Sequence, residues 1–202
     1  MKTSSQLVKE LREKTGVGIM DCKNALQESN GDINEAIDIL RKKGIAKSQK
    51  REGRITSEGQ IQSYIHMGGK IGVLVEVNCE TDFTAKTEDC TNFAKNLSMH
   101  IAATNPISLY PEDLPADDME REKEIYRVQA LESGKPEKVV EKIIEGKLKK
   151  FYSDVCLLEQ AYVKDPDKTV RDLLNELKAK TGENVQIRRF VRFKLGENGD
   201  SK

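Results

Sequence analysis

The sequence predicts an α+β fold: a small helical module, then a core in which helices cover one face of a three-stranded antiparallel sheet. The first observation is that apolar residues recur at helical spacing through residues 1–46, in three short segments separated by glycines. The second is that three later segments alternate apolar and polar residues with the period of two that is typical of strands. Because segments with helical spacing lie between the second and third strands, we expect an antiparallel sheet covered on one face.

The composition excludes several classes of protein. Among 202 residues, 34 Lys and Arg balance 34 Asp and Glu, so no net charge attracts nucleic acid or a membrane surface. No segment approaches the run of about 18 apolar residues that spans a bilayer, and the polar N-terminus is unlike a secretory signal. We therefore expect a soluble, cytoplasmic protein that contacts neither a membrane nor nucleic acid directly.

The residues that usually carry chemistry show no catalytic or metal-binding arrangement. His66 and His100 are far apart, and neither has a Ser or Cys signature beside it. The four cysteines form no C-x-x-C pair and have no histidines at zinc spacing, so we expect reduced and mostly buried thiols at positions 22, 79, 90 and 156. The sequence predicts no enzyme, no catalytic residue, no cofactor and no metal site.

The N-terminal segment predicts three helices. The first follows the cap residues 3–5 and ends before Gly16, the second covers about 18–28, and the third begins at Asp32 and stops at Gly44. A module of about 45 residues is near the lower limit for independent folding, and units of this size usually present a surface.

The loop between the first two helices is the predicted binding surface of this module. Gly16 and Gly18 hold Val17, Ile19 and Met20 at a helix start, where apolar side chains can be offered to a partner helix. The alternative is that Ile19 and Met20 close the small core, and the pattern leaves both interpretations open.

A β-hairpin is predicted from residue 60 to residue 77, with its turn at Gly68-Gly69. We assign to the core the face of the first strand that carries Ile61, Ser63, Ile65 and Met67. The core face of the second strand carries Ile71, Val73, Val75 and Val77. His66 is then on the opposite face, where it is either a partner contact or an ordinary surface histidine.

The segment Asn78–Phe83 lies where the second strand ends and the longest helical pattern begins. Thr81 is placed to cap the first helical turn, and Asp82 and Phe83 put an acid beside a large aromatic residue. By helical phase, Phe83 belongs with the apolar Cys90, so periodicity alone assigns Phe83 to the core.

The remaining segments predict a helical pair, one more helix and a third strand. The first helix of the pair is capped by Asp117 or Asp118, and Ser133–Pro136 separates it from the second. Its inward residues are Ile125, Val128 and Leu131. A turn is expected at Asp165–Asp167, followed by a helix that a capping box opens through Thr169 and Asp172.

The third strand, Val185–Leu195, places on one face Val185, Ile187, Val191, Phe193 and Leu195. The expected domains are a helical module (1–46), a basic linker (47–59), an α+β core (60–196) and a frayed tail (197–202).

Four motifs, in order along almost the whole chain, resemble those of the elongation factor Ts family. They are Leu7–Arg12 with Thr15-Gly16 and Met20–Lys23, then Glu76–Phe83, Ser133–Pro136 and Glu145–Phe151. Any one of them is weak, but four in this order are highly specific. Members of this family are exchange factors for elongation factor Tu in translation, and their N-terminal module resembles a ubiquitin-associated (UBA-like) domain.

The resemblance implies a mechanism without covalent chemistry, in which the partner is elongation factor Tu, both GDP-bound and nucleotide-free. The Asp-Phe pair of the family corresponds to Asp82 and Phe83, which with Thr81 and Thr84 would insert into the nucleotide domain of Tu and disturb its Mg²⁺ and phosphate site. Position 84 is Val in many members, and a threonine hydroxyl still fits a first helical turn. The family's contact positions in the N-terminal module correspond to Arg12, Ile19, Met20 and Lys23, with His66 as a further contact.

The resemblance also implies a homodimer. Longer members carry two related core subdomains, whereas here His66–Val75 resembles the second copy's hairpin and runs directly into Thr81-Asp82-Phe83 of the first. Short members are thought to replace the missing half by dimerising, and an antiparallel sheet suits two-fold pairing. We therefore expect a homodimer that binds two molecules of elongation factor Tu.

Two other functions remain as alternatives. A passive adaptor would bind a helix or a ubiquitin-like surface through residues 1–46 alone and would not affect nucleotide release. An RNA-binding protein would use the basic linker with Arg188, Arg189 and Arg192, and its affinity for RNA would depend steeply on salt. Neither function accounts for the Asn78–Phe83 signature.

Overall fold

The computed structural model of the protein describes residues 5–49, 51, 53–134 and 136–197. These residues form two compact units. The first unit draws on Met1–Gln62, Val75–Asn96 and Asp172–Phe190, and the second on Ser63–Leu74, Leu97–Arg171 and Val191–Lys202. The α+β prediction is confirmed. The helix caps predicted at Thr3 and Ser4, and the predicted tail from residue 198, lie outside the described residues.

The N-terminal module consists of helices α1 (Ser5–Thr15), α2 (Ile19–Glu28) and α3 (Ile33–Gln49). Its core is formed by Leu11, Cys22, Ala25, Leu26, Ala36 and Leu40. The prediction that Gly44 ends the third helix is wrong, because α3 continues to Gln49. Gly44 is buried, and a Cβ atom there would lie 2.8 Å from the Cβ atom of Ala179. Gly44 therefore permits close packing between α3 and the helix that carries Ala179.

The sheet has strands β1 (Glu58–Ile65), β2 (Ile71–Cys79) and β5 (Gln186–Lys194) in the order β1-β2-β5, so the third strand joins the predicted hairpin beside β2. On β2, the predicted core residues Val73, Val75 and Val77 are buried. On β1, the predicted core face is wrong: Ile61 and Ile65 are each 67% exposed, whereas Gln60, Gln62 and Tyr64 are half-buried. A period of two shows that the strand has two different faces, but not which face the rest of the protein covers. Polar side chains can occupy the covered face when they form hydrogen bonds there; the Gln60 amide, for example, donates to Cys90 Sγ at 3.7 Å.

The single face predicted for the third strand is also wrong. Arg188 and Arg189 are both exposed, so the alternation of buried and exposed residues shifts by one position within the strand. Upstream of the shift, Val185 and Ile187 are buried; downstream, the exposed apolar side chains are Val191, Phe193 and Leu195.

Helices α6 (Ala116–Glu132) and α7 (Glu137–Val155) form the predicted helical pair. Their contact includes Ala130 of α6 and Val140, Ile144 and Leu148 of α7, with Met119 and Tyr126 packed against them. The residues predicted to face inward are 39–50% exposed: Ile125, Val128 and Leu131. The predicted cap is wrong too, since Pro115 occupies the cap position. Met119, Tyr126 and Ala130 are spaced by seven and four residues, which places them on one stripe of the helix, and small Ala130 allows the close approach.

A two-stranded hairpin replaces the turn predicted at Asp165–Asp167. Strand β3 (Ala161–Tyr162) pairs antiparallel with β4 (Asp165–Thr169), so the chain reverses two residues earlier than predicted. Helix α8 (Val170–Thr181) follows, beginning directly after Thr169 and ending before Gly182, as predicted. The Asp172 carboxylate accepts a hydrogen bond from Arg41 at 3.1 Å, which ties α8 to α3.

Within the second unit, His100 is completely buried and both ring nitrogens are hydrogen-bonded. Its Nδ1 accepts from the backbone N–H of Val163 at 3.3 Å, so Nε2 carries the proton and donates to Gln160 Oε1 at 2.9 Å. Burial lowers the pKa of His100 below its ordinary value. His100 is therefore a neutral structural residue.

Candidate partner-binding site

The helix predicted to start at Thr81 is interrupted. Helix α4 (Asp82–Ala85) ends after one turn, and helix α5 (Glu88–Thr104) begins anew. The Thr81 hydroxyl accepts from the Thr84 N–H at 3.3 Å, which confirms Thr81 as a helix cap. Thr87 caps α5 in the same way, since its hydroxyl accepts from the Cys90 N–H at 3.3 Å. The sequence does carry this second start, as a threonine followed by two acids.

The break in the helix exposes Phe83. Its side chain is 79% exposed, whereas Cys90 and Leu97, with which it would share a phase in one continuous helix, are buried. The core interpretation of Phe83 is therefore wrong. The adjacent Thr84 and Ala85 are buried, so the short helix is anchored by these two residues while the aromatic ring faces solvent.

Asp82 is also on the surface, with a side chain 66% exposed. Its Oδ2 accepts a hydrogen bond from Lys86 Nζ at 2.8 Å, and this contact holds the pKa of Asp82 below its ordinary value. Asp82 is therefore ionised at neutral pH. Because the ion pair with Lys86 is solvated, Asp82 can exchange it for another polar partner at little cost.

A carboxylate from a distant part of the chain holds this segment. Glu183 Oε2 accepts from the backbone N–H groups of Glu80 and Thr81, each at 3.1 Å. Glu183 Oε1 accepts from the Thr81 hydroxyl at 2.7 Å. The sequence analysis did not single out Glu183. Its only sequence signal is its position directly after the helix-ending Gly182.

A second carboxylate completes the connection in the opposite direction. Glu80 Oε1 accepts from the backbone N–H of Asn184 at 2.6 Å, and Glu80 Oε2 accepts from Arg54 at 3.0 Å. The Asn184 N–H, followed by Arg54, lowers the pKa of Glu80. Glu183 thus accepts from the backbone of Glu80 and Thr81, and Glu80 accepts from the backbone of Asn184, so the segment after β2 is joined to the segment after α8 by charge-assisted hydrogen bonds.

The candidate contact residues of the N-terminal module lie on its surface. Ile19 is 53% exposed and Met20 65%, and Arg12 and Lys23 are exposed as well. The alternative that Ile19 and Met20 close the module's core is therefore wrong. Ile19 and Met20 occupy the first turn of α2. The prediction that Val17 is offered to a partner with them is wrong, because Val17 is half-buried and packs against the core.

All candidate contacts except one belong to the first compact unit, which contains Thr81–Thr84 and the four module residues. The exception is His66, in the second unit. His66 is exposed, and its Nδ1 lies 3.0 Å from the hydroxyl of Tyr64.

Arg192, one of three arginines in the RNA-binding alternative, is not available for such a contact. Its side chain is only 10% exposed, and its Nε donates to the carbonyl of Ala102 at 3.3 Å. Arg189 remains exposed but pairs with Glu76 at 2.7 Å. The arginines of this alternative therefore do not form the single exposed basic cluster that it requires.

The expected burial of all four cysteines is confirmed. Desolvation raises the pKa of the Cys79 thiol to about 11, so this thiol is protonated at neutral pH. Across the described residues, no cluster of three or more His, Cys, Asp or Glu could hold a metal ion. Across the same residues, no helix combines the length and apolar character needed to cross a bilayer.

Comparison with known proteins identifies one family throughout. The profile described as "Elongation factor TS" matches residues 1–197. "Elongation factor Ts" of Desulfosudis oleivorans is 63% identical over 194 residues, covering 96% of this chain and 98% of that protein. The protein of the same name from Caldanaerobacter subterraneus subsp. tengcongensis is 61% identical over 194 residues, covering 96% of this chain and 97% of that protein. The one from Syntrophobacter fumaroxidans is 58% identical over 196 residues, covering 97% of this chain and 98% of that protein.

Proposed function

Because this chain belongs to the elongation factor Ts family, we propose that it binds elongation factor Tu, both GDP-bound and nucleotide-free, and promotes release of GDP. The observation that carries the proposal is the exposed Phe83 ring on a helix start that Glu183 holds in place. An exposed large aromatic side chain on a fixed backbone is the form that a protein-binding anchor takes.

Exchange by this chain is non-covalent. Mg²⁺ requires a near-octahedral shell of oxygen ligands, so a small displacement of the elements that hold it weakens nucleotide binding. Phe83 acts as a wedge that displaces packed side chains in the nucleotide domain of Tu. Asp82 leaves Lys86 and takes polar partners near the metal site.

The N-terminal module docks on the same domain of Tu through Arg12, Ile19, Met20 and Lys23. Its exposed apolar pair, flanked by two cations, has the composition of a partner-binding surface. His66 is a separate contact, made from the second unit. The cytoplasm, where translation takes place, is the proposed location of the complex.

We further propose that two copies of this chain pair through the uncovered face of the sheet. Within the second unit this face carries the exposed apolar side chains of Ile65, Leu74, Val191 and Phe193. A Cβ atom built on Gly72 would lie 3.1 Å from Ile65 Cδ1, so Ile65 lies on the same face as Gly72. A second copy provides the same apolar surface across a two-fold axis, and such a dimer binds two molecules of Tu.

The test is release of a fluorescent GDP analogue from elongation factor Tu, with the wild-type chain and with Phe83→Ala. We expect the wild type to accelerate release and Phe83→Ala to lose most of the acceleration while its melting temperature stays unchanged. Ile107→Ala is the matched control, since Ile107 is a 67% exposed apolar residue outside the site. Absence of acceleration by the wild type would refute the exchange function, whereas equal activity of wild type and Phe83→Ala would refute the wedge.

A further inference from the structure

We infer that Glu183 is a positioning residue for nucleotide exchange: it fixes the helix start that presents Asp82 and Phe83 to the partner. The inference rests on the proposed function and adds a residue to it. Glu183 acts through Thr81, whose hydroxyl and backbone N–H both donate to its carboxylate.

The Thr81 hydroxyl is the link. It has one proton, which it donates to Glu183 Oε1 at 2.7 Å, so its lone pairs remain free to accept from the Thr84 N–H at 3.3 Å. Glu183 thereby orients the hydroxyl that caps α4, the helix that carries Phe83. Its other carboxylate oxygen holds the two backbone N–H groups immediately before that helix.

Glu183 is itself held by α8. The Gly182 N–H donates to the carbonyl of Lys178 at 3.0 Å, which ends the helix, and the Glu183 N–H donates to the Thr181 hydroxyl at 3.3 Å. At its other end, α8 binds α3 through Asp172 and Arg41. Helix α8 therefore supports both the N-terminal module and the Phe83 segment, and both belong to one compact unit.

The consequence is a rigid wedge. If the helix start were loose, part of the binding energy would be spent on ordering it, and less would remain to displace groups in the partner. Loss of the Glu183 contact should therefore lower the maximal rate of GDP release more than the apparent affinity of the docked complex.

The experiment measures GDP release from elongation factor Tu over a range of concentrations of the full-length chain. For Glu183→Gln we expect a maximal rate about tenfold lower, equivalent to about 1.4 kcal/mol, and a half-saturating concentration within about twofold of wild type. Thr81→Val, which removes the linking hydroxyl but keeps the side-chain shape, should have a similar effect. Glu76→Gln is the matched control, since Glu76 is also a hydrogen-bonded carboxylate of the first unit, but its partner is Arg189 at 2.7 Å and not the helix start at Thr81.

The combination with Phe83→Ala separates positioning from a general structural role. If Glu183 acts through Phe83, Glu183→Gln should reduce the rate little further in the Phe83→Ala background. A fully additive effect, or a Glu183→Gln rate equal to wild type, overturns the inference. If Glu183→Gln does not fold, Thr81→Val decides the same question.

Amide hydrogen exchange provides a readout that does not depend on elongation factor Tu. Glu183→Gln should speed exchange at the N–H groups of Glu80 and Thr81 without changing exchange in the core strand β2. Unchanged protection of these two amides refutes the positioning role. If Glu183→Gln loses protection at these two amides but the wild-type chain does not accelerate GDP release, only the proposed function is refuted.

Discussion

Gly44 and Gly146 both lie inside helices, but only the replacement of Gly146 with alanine is expected to stabilise the protein. Alanine is favoured over glycine in a helix interior by about 1 kcal/mol. A Cβ atom on Gly146 meets nothing within 4 Å, so Gly146→Ala should gain that full amount. A Cβ atom on Gly44 lies 2.8 Å from Ala179 Cβ, and overpacking of this kind costs about 1–3 kcal/mol, which offsets or exceeds the gain.

The assay is thermal and urea unfolding of the two variants against wild type. Gly146→Ala should raise the melting temperature by about 2–4 °C, and Gly44→Ala should leave it unchanged or lower it by up to about 8 °C. Ala179→Gly combined with Gly44→Ala removes the clash and should recover the stability lost through overpacking. If Gly44→Ala is as stabilising as Gly146→Ala, the close contact between α3 and α8 does not exist.

Two further predictions concern the second unit. Phe193→Glu should convert the proposed dimer into a folded monomer, because a charge at this 65% exposed position disturbs the pairing face and not the core. Analytical ultracentrifugation measures the oligomeric state, and circular dichroism checks that the variant is folded. A dimer that persists at micromolar concentration contradicts the prediction. The unfolding free energy should fall as the pH drops from about 6.5 towards 5.5, because the lowered pKa of His100 means that the unfolded chain takes up the proton first. His100→Gln should flatten this slope in urea titrations at each pH, and an unchanged slope would show that His100 is not responsible.

The strands show how far sequence pattern determines the fold. The valines of β2 predicted both a strand and its buried face, because a strand with apolar residues on one side has a single stable orientation. In β1 the same pattern predicted the strand but gave the wrong face. Ile61 and Ile65 are exposed on a surface that we propose pairs with a second copy, and a single sequence carries no information on which apolar face a partner covers.

In the candidate site, too, sequence pattern predicted some features and missed others. Thr81 was predicted as a cap because capping is local, whereas the exposure of Phe83 depends on the helix break that Thr87 introduces. Glu183 could not have been found from pattern, since the hydrogen bond to Thr81 spans 102 residues and a carboxylate after a glycine is ordinary in sequence. Contacts that depend on tertiary structure are those that sequence reasoning missed.

The coupling between this chain and the nucleotide explains why the exchange surface needs two parts. If this chain weakens GDP binding to elongation factor Tu a thousandfold, as the proposed function requires, the coupling is about 4 kcal/mol and GDP must weaken binding of this chain by the same factor. Full burial of a phenylalanine ring contributes about 1.5–3 kcal/mol, which is less than the coupling requires. The remainder must come from docking contacts that do not compete with GDP, the role proposed for Ile19 and Met20. Because α8 supports both the module and the Phe83 segment, binding free energy from the docked module can favour insertion of Phe83. None of it is first spent on ordering the chain between the module and Phe83.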